Sequence, residues 1–502
     1  MKSIKKNYLY NSLFQMLMLI VPITTTPYLA RIIGAEGIGV YTYYYAIASY
    51  FVLVIKLGID NYGNRAIAEN KNNNSSLNGI FSELYIFQVS IGVIVSLVYL
   101  IFVLFFSQEV SYGLLFYLIV FGACIDINWV LYGLEEFKKI SIRNLIVKAT
   151  STILIFCLIK SNDDIFLYCL ILVASNTVSL ALAWPIVLKR TKFVKIDTKN
   201  IIRHLKPNLM LFLTVLSVNI YKTMDKIMLG AMMPNKMDVG FYETSERIIN
   251  IPSILVVSLG TVMMPRISNM IALKDESYKT KIFSSIVFSM IISSSLAFGI
   301  MGVSKEFVPI FYGDGFEKNQ ILYLILLPCC IFMGFSNVIR TQYLLPNHRD
   351  TSFLISGIVA ACINLILNFF FIPWWGAIGA AVATLFSEIT GCVYQSFDAS
   401  KELNLRKYVS YSTYIVTAAI IMFFAIYFPS YSFCEHLLAK MLLKICIGAF
   451  IFIALIMLMF FYAYRRKDTD IVNLITKIKI NKVFETIVEH TKNVQFFVGG
   501  KK

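Results

Sequence analysis

Residues 86–106 read IFQVSIGVIVSLVYLIFVLFF, without one charged side chain. A helix rises about 1.5 Å per residue, so a run of about 20 apolar residues crosses the ~30 Å hydrocarbon core of a bilayer. No water is available there, and a helix satisfies its backbone donors and acceptors within one segment. Working outward, comparable runs lie near 8–32, 39–59, 80–106, 112–134, 143–160, 165–188 and 207–233. They continue near 240–264, 282–303, 320–344, 352–373, 376–397, 408–428 and 438–463. The chain is 58% hydrophobic and only 15% charged, against roughly 25% charged in soluble proteins. The expected fold class is an all-α integral membrane protein of about 14 transmembrane helices.

The formal net charge is +16, which in a soluble chain would suggest nucleic acid. Here the basic residues crowd into alternate short connections, so they read as orientation signals. With the N-terminus in the cytoplasm, the outer connections hold only Arg31, Lys160, Lys236, Lys305, Lys318 and Lys440. The cytoplasmic side takes the rest of the loop and tail charge, so both termini are expected inside, and no nucleic-acid partner is expected. The first apolar run contains Pro22 and Pro27 and ends at Ala30-Arg31 without a small-x-small cleavage site, so it reads as a retained helix.

Enzyme chemistry has little footing. The outer connections are too short for a catalytic domain, and there is no P-loop or HExxH. Four histidines are dispersed, no metal site is expected, and the nine cysteines are scattered, mostly in apolar runs, with Cys329-Cys330 adjacent and no CxxC pair. Asp468-Thr469-Asp470 is a DxD string with no nucleotide-binding domain around it. The basic tail after it has the apolar spacing of an amphipathic helix, at Ile471, Leu474, Ile475 and Ile478.

An internal repeat organises the chain. Residues 31–41 read RIIGAEGIGVY; residues 226–242 begin KIMLG and end VGFY. The helix after each contains a Leu-Gly pair, Leu57-Gly58 and Leu259-Gly260. Six spans separate the copies, so both face the same way, a transporter plan. The expected domains are a six-helix bundle over 1–206, a second over 207–400, two extra helices over 401–464 and a basic cytoplasmic tail over 465–502.

A charge inside the bilayer is costly and marks a functional candidate. Lys222, Asp225 and Lys226 share one face of the seventh span. Arg31 ends the first span and Arg247 lies about two turns into the eighth. These cations are candidates to line a cavity for an anionic headgroup; the competing reading pairs Lys222 with Asp225 and Glu243 with Arg247, and lets Arg31 snorkel. Lys56, near the inner end of its span, reads as a snorkelling lysine. Asp126, Asp225 and Glu388 are candidates to bind a coupling proton or sodium ion, with structural hydrogen bonding as the alternative. Asn364 and Asn368 share a helix face and could hydrogen-bond sugars or neighbouring helices. Pro22 and Pro27 are candidates for a gating bend, with a static kink and threonine back-bonding by Thr24, Thr25 and Thr26 as the alternative.

The stretch Pro27-Tyr28-Leu29-Ala30-Arg31-Ile32-Ile33-Gly34-Ala35-Glu36-Gly37-Ile38-Gly39 resembles the end of the first helix in Wzx-type polysaccharide flippases of the multidrug/oligosaccharidyl-lipid/polysaccharide (MOP) exporter superfamily. So do Leu57-Gly58-Ile59 with Tyr62-Gly63 and Arg65, Asp126-Ile127-Asn128-Trp129 with Gly133-Leu134-Glu135, Ile142-Arg143-Asn144, and Asp225-Lys226 before Leu229-Gly230. The run Asn128–Tyr132 departs from the more aromatic family pattern. The resemblance implies two pseudo-symmetric six-helix bundles around a central cationic cavity, plus two extra C-terminal helices. It implies alternating access that carries an undecaprenyl-pyrophosphate-linked oligosaccharide outward for capsule, exopolysaccharide or O-antigen synthesis in the bacterial cell membrane. Membrane lipids, a polysaccharide polymerase and glycosyltransferases would be the partners, and no cofactor beyond the coupling ion is implied. An ion-coupled drug or small-molecule antiporter of the same superfamily is the alternative.

Overall fold

The computed structural model describes residues 21–196, 201–429 and 435–478. Among them, 12 helices are long and apolar enough to span a membrane, each overlapping one of the expected spans. The seventh expected span is also helical, over Leu205–Met232. The first is described only from residue 21, and 21–32 are helical through both Pro22 and Pro27.

In chain order the helices are α1 (21–32), α2 (Gly34–Lys56), α3 (Ile59–Asn70), α4 (Asn74–Phe106), α5 (Val110–Cys124), α6 (Asn128–Gly133), α7 (Phe137–Leu158), α8 (Ile165–Ala181) and α9 (Trp184–Val187). There follow α10 (Leu205–Met232), α11 (Met237–Ala272), α12 (Tyr278–Gly302), α13 (Ser304–Phe311), α14 (Lys318–Leu326), α15 (Cys329–Ile339), α16 (Asp350–Trp375), α17 (Ala377–Ala399), α18 (Leu405–Tyr427), α19 (Leu437–Arg465) and α20 (Thr469–Ile478). Large apolar side chains face outward along them; Phe105 is 77% exposed and Phe106 73%. Exposed greasy surface on this scale fits lipid as the surrounding solvent.

Packing sorts the chain into two compact units. The first runs to Thr244 and takes in Tyr312–Phe316 and Asn368–Ala380; the second holds Ser245–Phe311, Glu317–Leu367 and the chain from Ala381. In the first, α2 packs on α4, α5, α8 and α10. At one end an apolar core gathers Leu57, Ile59, Ile67, Phe81, Leu84, Trp129 and Leu131. In the second, α12 packs on α15, α18 and α19.

The repeat is realised as a reciprocal contact. A Cβ on Gly39 would lie 1.8 Å from the Lys236 carbonyl oxygen, and a Cβ on Gly240 1.8 Å from that of Ala35. Each glycine rests on the carbonyl four residues before the other, so bare backbone is needed on both helices. The Leu-Gly pairs diverge. Leu57 and Gly58 both turn left-handed, with φ of 40° and 85°, and separate α2 from α3. Leu259-Gly260 stays inside unbroken α11, where the missing Cβ makes room for Asn337 and Thr341.

The tail helix is present as α20, with Ile471 buried. The DxD string anchors it: Lys407 Nζ lies 2.7 Å from Asp468 Oδ1 and 2.6 Å from Asp470 Oδ2. Thr280 donates to Asp470 at 2.9 Å and Tyr411 to Asp468 at 3.0 Å. Residues beyond Ile478 lie outside the described residues.

Candidate functional site

The fourth expected span is interrupted. α5 ends at Cys124 and α6 begins at Asn128, leaving carbonyls without helical partners. Irregular backbone at membrane depth survives only where protein or cavity water satisfies it. Gln88 Nε2 donates to the carbonyls of Ala123 and Asp126, at 2.6 and 2.9 Å. Trp184 Nε1 donates to that of Ile125 at 2.9 Å. Gln88 is itself fixed by Trp129 Nε1, at 3.0 Å.

The break aims Asp126. Its Oδ1 accepts from the Asn128 backbone N–H at 3.0 Å and from Asn128 Nδ2 at 2.7 Å. Its Oδ2 lies 2.6 Å from Lys56 Nζ, which also reaches Asp60 at 2.9 Å. Asn128 Oδ1 accepts from Arg143 Nη2 at 2.8 Å, and that nitrogen also donates to Asn144 Oδ1 at 2.8 Å. Ser179 Oγ completes the chain, donating to Asn144 Oδ1 at 3.1 Å. Lys56 therefore does not snorkel: the left-handed turn at Leu57-Gly58 carries the chain onward as α3, and the lysine turns inward between two carboxylates. No local spacing announces this, because Asp126 is 70 positions away.

Beside this network Tyr45, Ser49, Val52 and Lys56 of α2, Ile119, Ala123 and Asp126, and Asn176 and Leu180 of α8 line a pocket of about 210 Å³. Tyr45 lies within electrostatic range of Lys56, Lys226 and Glu243, which ties the pocket to a second polar group.

That group is built on α10 and the first turns of α11. Lys226 Nζ lies 2.6 Å from Glu243 Oε2. Asp225 is buried; its Oδ2 accepts from Tyr242 Oη at 2.6 Å and its Oδ1 from Asn368 Nδ2 at 2.5 Å. Neighbouring residues on a helix point about 100° apart, so Asp225 and Lys226 find different partners. Of the two expectations for Asn368, sugar or a neighbouring helix, its amide makes the second, to the acid on α10. The Lys222 side chain lies outside the described residues. Arg31 donates from Nη1 to the Pro27 carbonyl at 3.0 Å, and its stem lies against Gly313, where a Cβ would come within 3.1 Å of Arg31 Cγ. Arg247, Asn364 and Glu388 belong to the second unit. There Asn364 is buried, and Glu388 lies within electrostatic range of Cys330 and Cys392. In α1, Thr24 and Thr25 hydroxyls both donate to the Val21 carbonyl at 2.9 Å. No group of three or more His, Cys, Asp or Glu side chains able to hold a metal occurs among the described residues.

Comparison with known proteins adds the following. The family profile described as polysaccharide biosynthesis protein matches residues 4–271, and that of the lipid II flippase MurJ matches residues 188–448. A candidate O-antigen transporter of Escherichia coli (strain K12) is 23% identical over 392 residues, covering 77% of this chain and 94% of that protein. The solved lipid II flippase MurJ, in an inward closed conformation, superposes with a TM-score of 0.71 at 17% identity, covering 90% of this chain and 99% of that one. An inward-facing multidrug resistance MATE family transporter of the MOP superfamily superposes at 0.54 and 15% identity, covering 76% and 98%.

Proposed function

Since the chain belongs to the polysaccharide biosynthesis protein family, we propose that it is a flippase that carries an undecaprenyl-pyrophosphate-linked oligosaccharide repeat unit from the inner to the outer leaflet by alternating access. The reading places it in a bacterial plasma membrane with both termini cytoplasmic. A polymerase and glycosyltransferases would act on either side of it. The observation that carries the reading is the polar interior of the first unit. Lys56, Asp126, Asp225, Lys226 and Glu243, on membrane-spanning segments, bond across helices. Sugars and a pyrophosphate cannot cross hydrocarbon unaided, and groups of this kind replace water for them.

Arg31 and Lys226 are the proposed holders of the pyrophosphate in the first unit; Arg247, in the second, and Lys222 are proposed anion contacts from the sequence alone. Asp225, held by Tyr242 and Asn368, and Glu388 are the acids proposed to take a proton or sodium ion; Asp126, committed to Lys56, is given another role below. Asn364 is a proposed sugar contact, and Pro22 and Pro27 a proposed bend in α1. With the inside negative, outward movement of each negative charge gains about 2.3 kcal/mol per 100 mV.

The test is genetic complementation. Cells lacking the protein should lose surface glycan and accumulate lipid-linked repeat units. Arg31→Gln and the Lys226→Met/Glu243→Gln double variant, which strands no lone charge, should fail to restore the glycan while reaching the membrane at wild-type level. Normal glycan in both variants would remove the anion-holding assignment. Altered drug resistance in the deletion strain with intact glycan would instead favour the antiporter reading.

A further inference from the structure

We propose that the pocket between α2, the α5–α6 break and α8 is a binding subsite for one neutral sugar ring. The proposal rests on the flippase reading for its source of ligand, and on the pocket's chemistry for the ligand's class.

Charge decides first. Lys56 and Arg143 supply two positive charges to the network, Asp60 and Asp126 two negative ones. A phosphate entering beside Asp126 meets a carboxylate already seated on the lysine, and a sodium ion meets the lysine itself. At an effective dielectric of about 20, unit charges 4 Å apart interact by about 4 kcal/mol, and here each such attraction is offset by a repulsion of similar size, so neither ion gains an uncompensated counter-charge. A hydroxyl donates and accepts at once. A ring carrying hydroxyls can donate to Asp126 and to Ser49 Oγ, whose own hydrogen goes to the Ala46 carbonyl at 2.6 Å, accept from Lys56, and use Asn176 in either sense. The remaining lining, Val52, Ile119, Ala123 and Leu180, suits the C–H faces of a pyranose. Tyr45, 41% exposed at the rim, offers a ring face on which one can stack.

Size agrees. A pocket of about 210 Å³ is below the ~300–1,000 Å³ of drug-sized ligand sites, a size that suits a single sugar ring. Depth agrees too. Counting about 1.5 Å per residue along α2, Lys56 stands about 33 Å from Gly34, a full hydrocarbon thickness away. In the proposed orientation that is the inner-leaflet level, where a lipid-linked glycan first presents its sugars. The site is also rigid before any ligand arrives, because Gln88, Trp129 and Trp184 already hold the interrupted backbone. Preorganised polar groups lose least on binding.

The test uses purified full-length protein in nanodiscs and saturation-transfer NMR with a panel of free hexoses and N-acetylhexosamines. Asn176→Leu and Ser49→Leu fill the pocket without removing a charge. Tyr45→Ala, at the exposed rim, covers the case in which both fillers unfold. At least one sugar should receive saturation from the wild type. Its apparent affinity should fall about tenfold or more in each folded variant, and neither inorganic pyrophosphate nor sodium should displace it. No transfer to any sugar, transfer unchanged in the folded variants, or displacement by pyrophosphate or sodium would overturn the subsite. Surface glycan in complemented cells separates the two proposals. Folded fillers that export glycan normally and still bind the sugar as the wild type does sink the subsite and spare the flippase. A deletion strain with normal glycan sinks the flippase and leaves the sugar binding to stand or fall by the NMR.

Discussion

The two Leu-Gly pairs of the repeat mark where the halves of the molecule part. In the first unit Leu57-Gly58 turns left-handed and breaks the helix, so Lys56 and Asp60 close around Asp126. In the second, Leu259-Gly260 continues as helix, and Ser258 and Val262 stand where Lys56 and Asp60 stand in the first copy. The broken copy carries a charged network beside a pocket. The unbroken copy uses its glycine for close packing against Asn337 and Thr341. The two copies read alike as helices; a left-handed turn and a few charges set the first apart.

The largest effect should come from the contact the copies share. Gly39→Val and Gly240→Val each drive a side chain into a carbonyl 1.8 Å from the added Cβ. Each should cost at least the ~1–3 kcal/mol of ordinary overpacking, read as lost thermal stability in detergent. Because the contact is reciprocal, the two losses should match; a severe loss in one and none in the other would show that the copies do not meet as equals.

Next is the Lys226–Glu243 pair. Lys226→Met or Glu243→Gln alone should destabilise by about 1–3 kcal/mol, since the partner charge is left partly buried without its counter-ion. The double variant should regain most of that stability and still export no glycan. Restored export in the double variant would make the pair structural. The second unit supplies the contrast: Lys444 and Glu306, 2.8 Å apart and both buried, join α19 to α13. The Lys444→Met/Glu306→Gln double variant should fold and export glycan at near wild-type level.

Much of the fold was legible in the sequence, because hydropathy over about 20 residues is a local signal and the bilayer makes it decisive. The repeat was legible through its glycines. The site was legible only by residue type. Asp126 and Asp225 stood out as acids in apolar runs, but their partners did not. Lys56 looked like a snorkelling helix end because nothing local shows that the chain carries on past Leu57-Gly58 to Asn70. Asn368 stayed open between sugar and a neighbouring helix because its helix face was visible and Asp225, 143 positions away, was not. Gln88 and Trp184 hold the α5–α6 break by side-chain bonds to carbonyls, for which sequence spacing offers no signal. The DxD string showed the converse, a motif explained as the anchor of a helix.

Smaller still is the effect of conformation at the paired glycines. Gly58→Ala forces a left-handed alanine, costing about 1–2 kcal/mol, and should lower glycan export by moving Lys56 and Asp60. Gly260→Ala should cost stability through Asn337 and Thr341 with export per folded molecule unchanged. Equal loss of export in both would erase the distinction between the copies.

The smallest effect concerns the tail. Burial opposes charge on Asp468, but Lys407 and Tyr411 outweigh it and hold its carboxyl below the ordinary range. A depressed value stabilises the docked tail above the ordinary aspartate pKa, and the contribution is lost as pH falls through the depressed one. Protease protection of α20 should therefore persist at neutral pH and disappear in strong acid. Asp468→Asn should weaken it at neutral pH, with export intact.

The central claim is that the polar interior of the first unit carries a sugar-bearing, phosphate-bearing lipid head through the membrane. Its most direct measurement is leaflet exchange of a labelled lipid-linked oligosaccharide in liposomes containing the purified protein. The wild type should accelerate exchange over protein-free liposomes, and the folded Lys226→Met/Glu243→Gln variant should not. Equal rates for the two proteins, or no acceleration by the wild type, would contradict it.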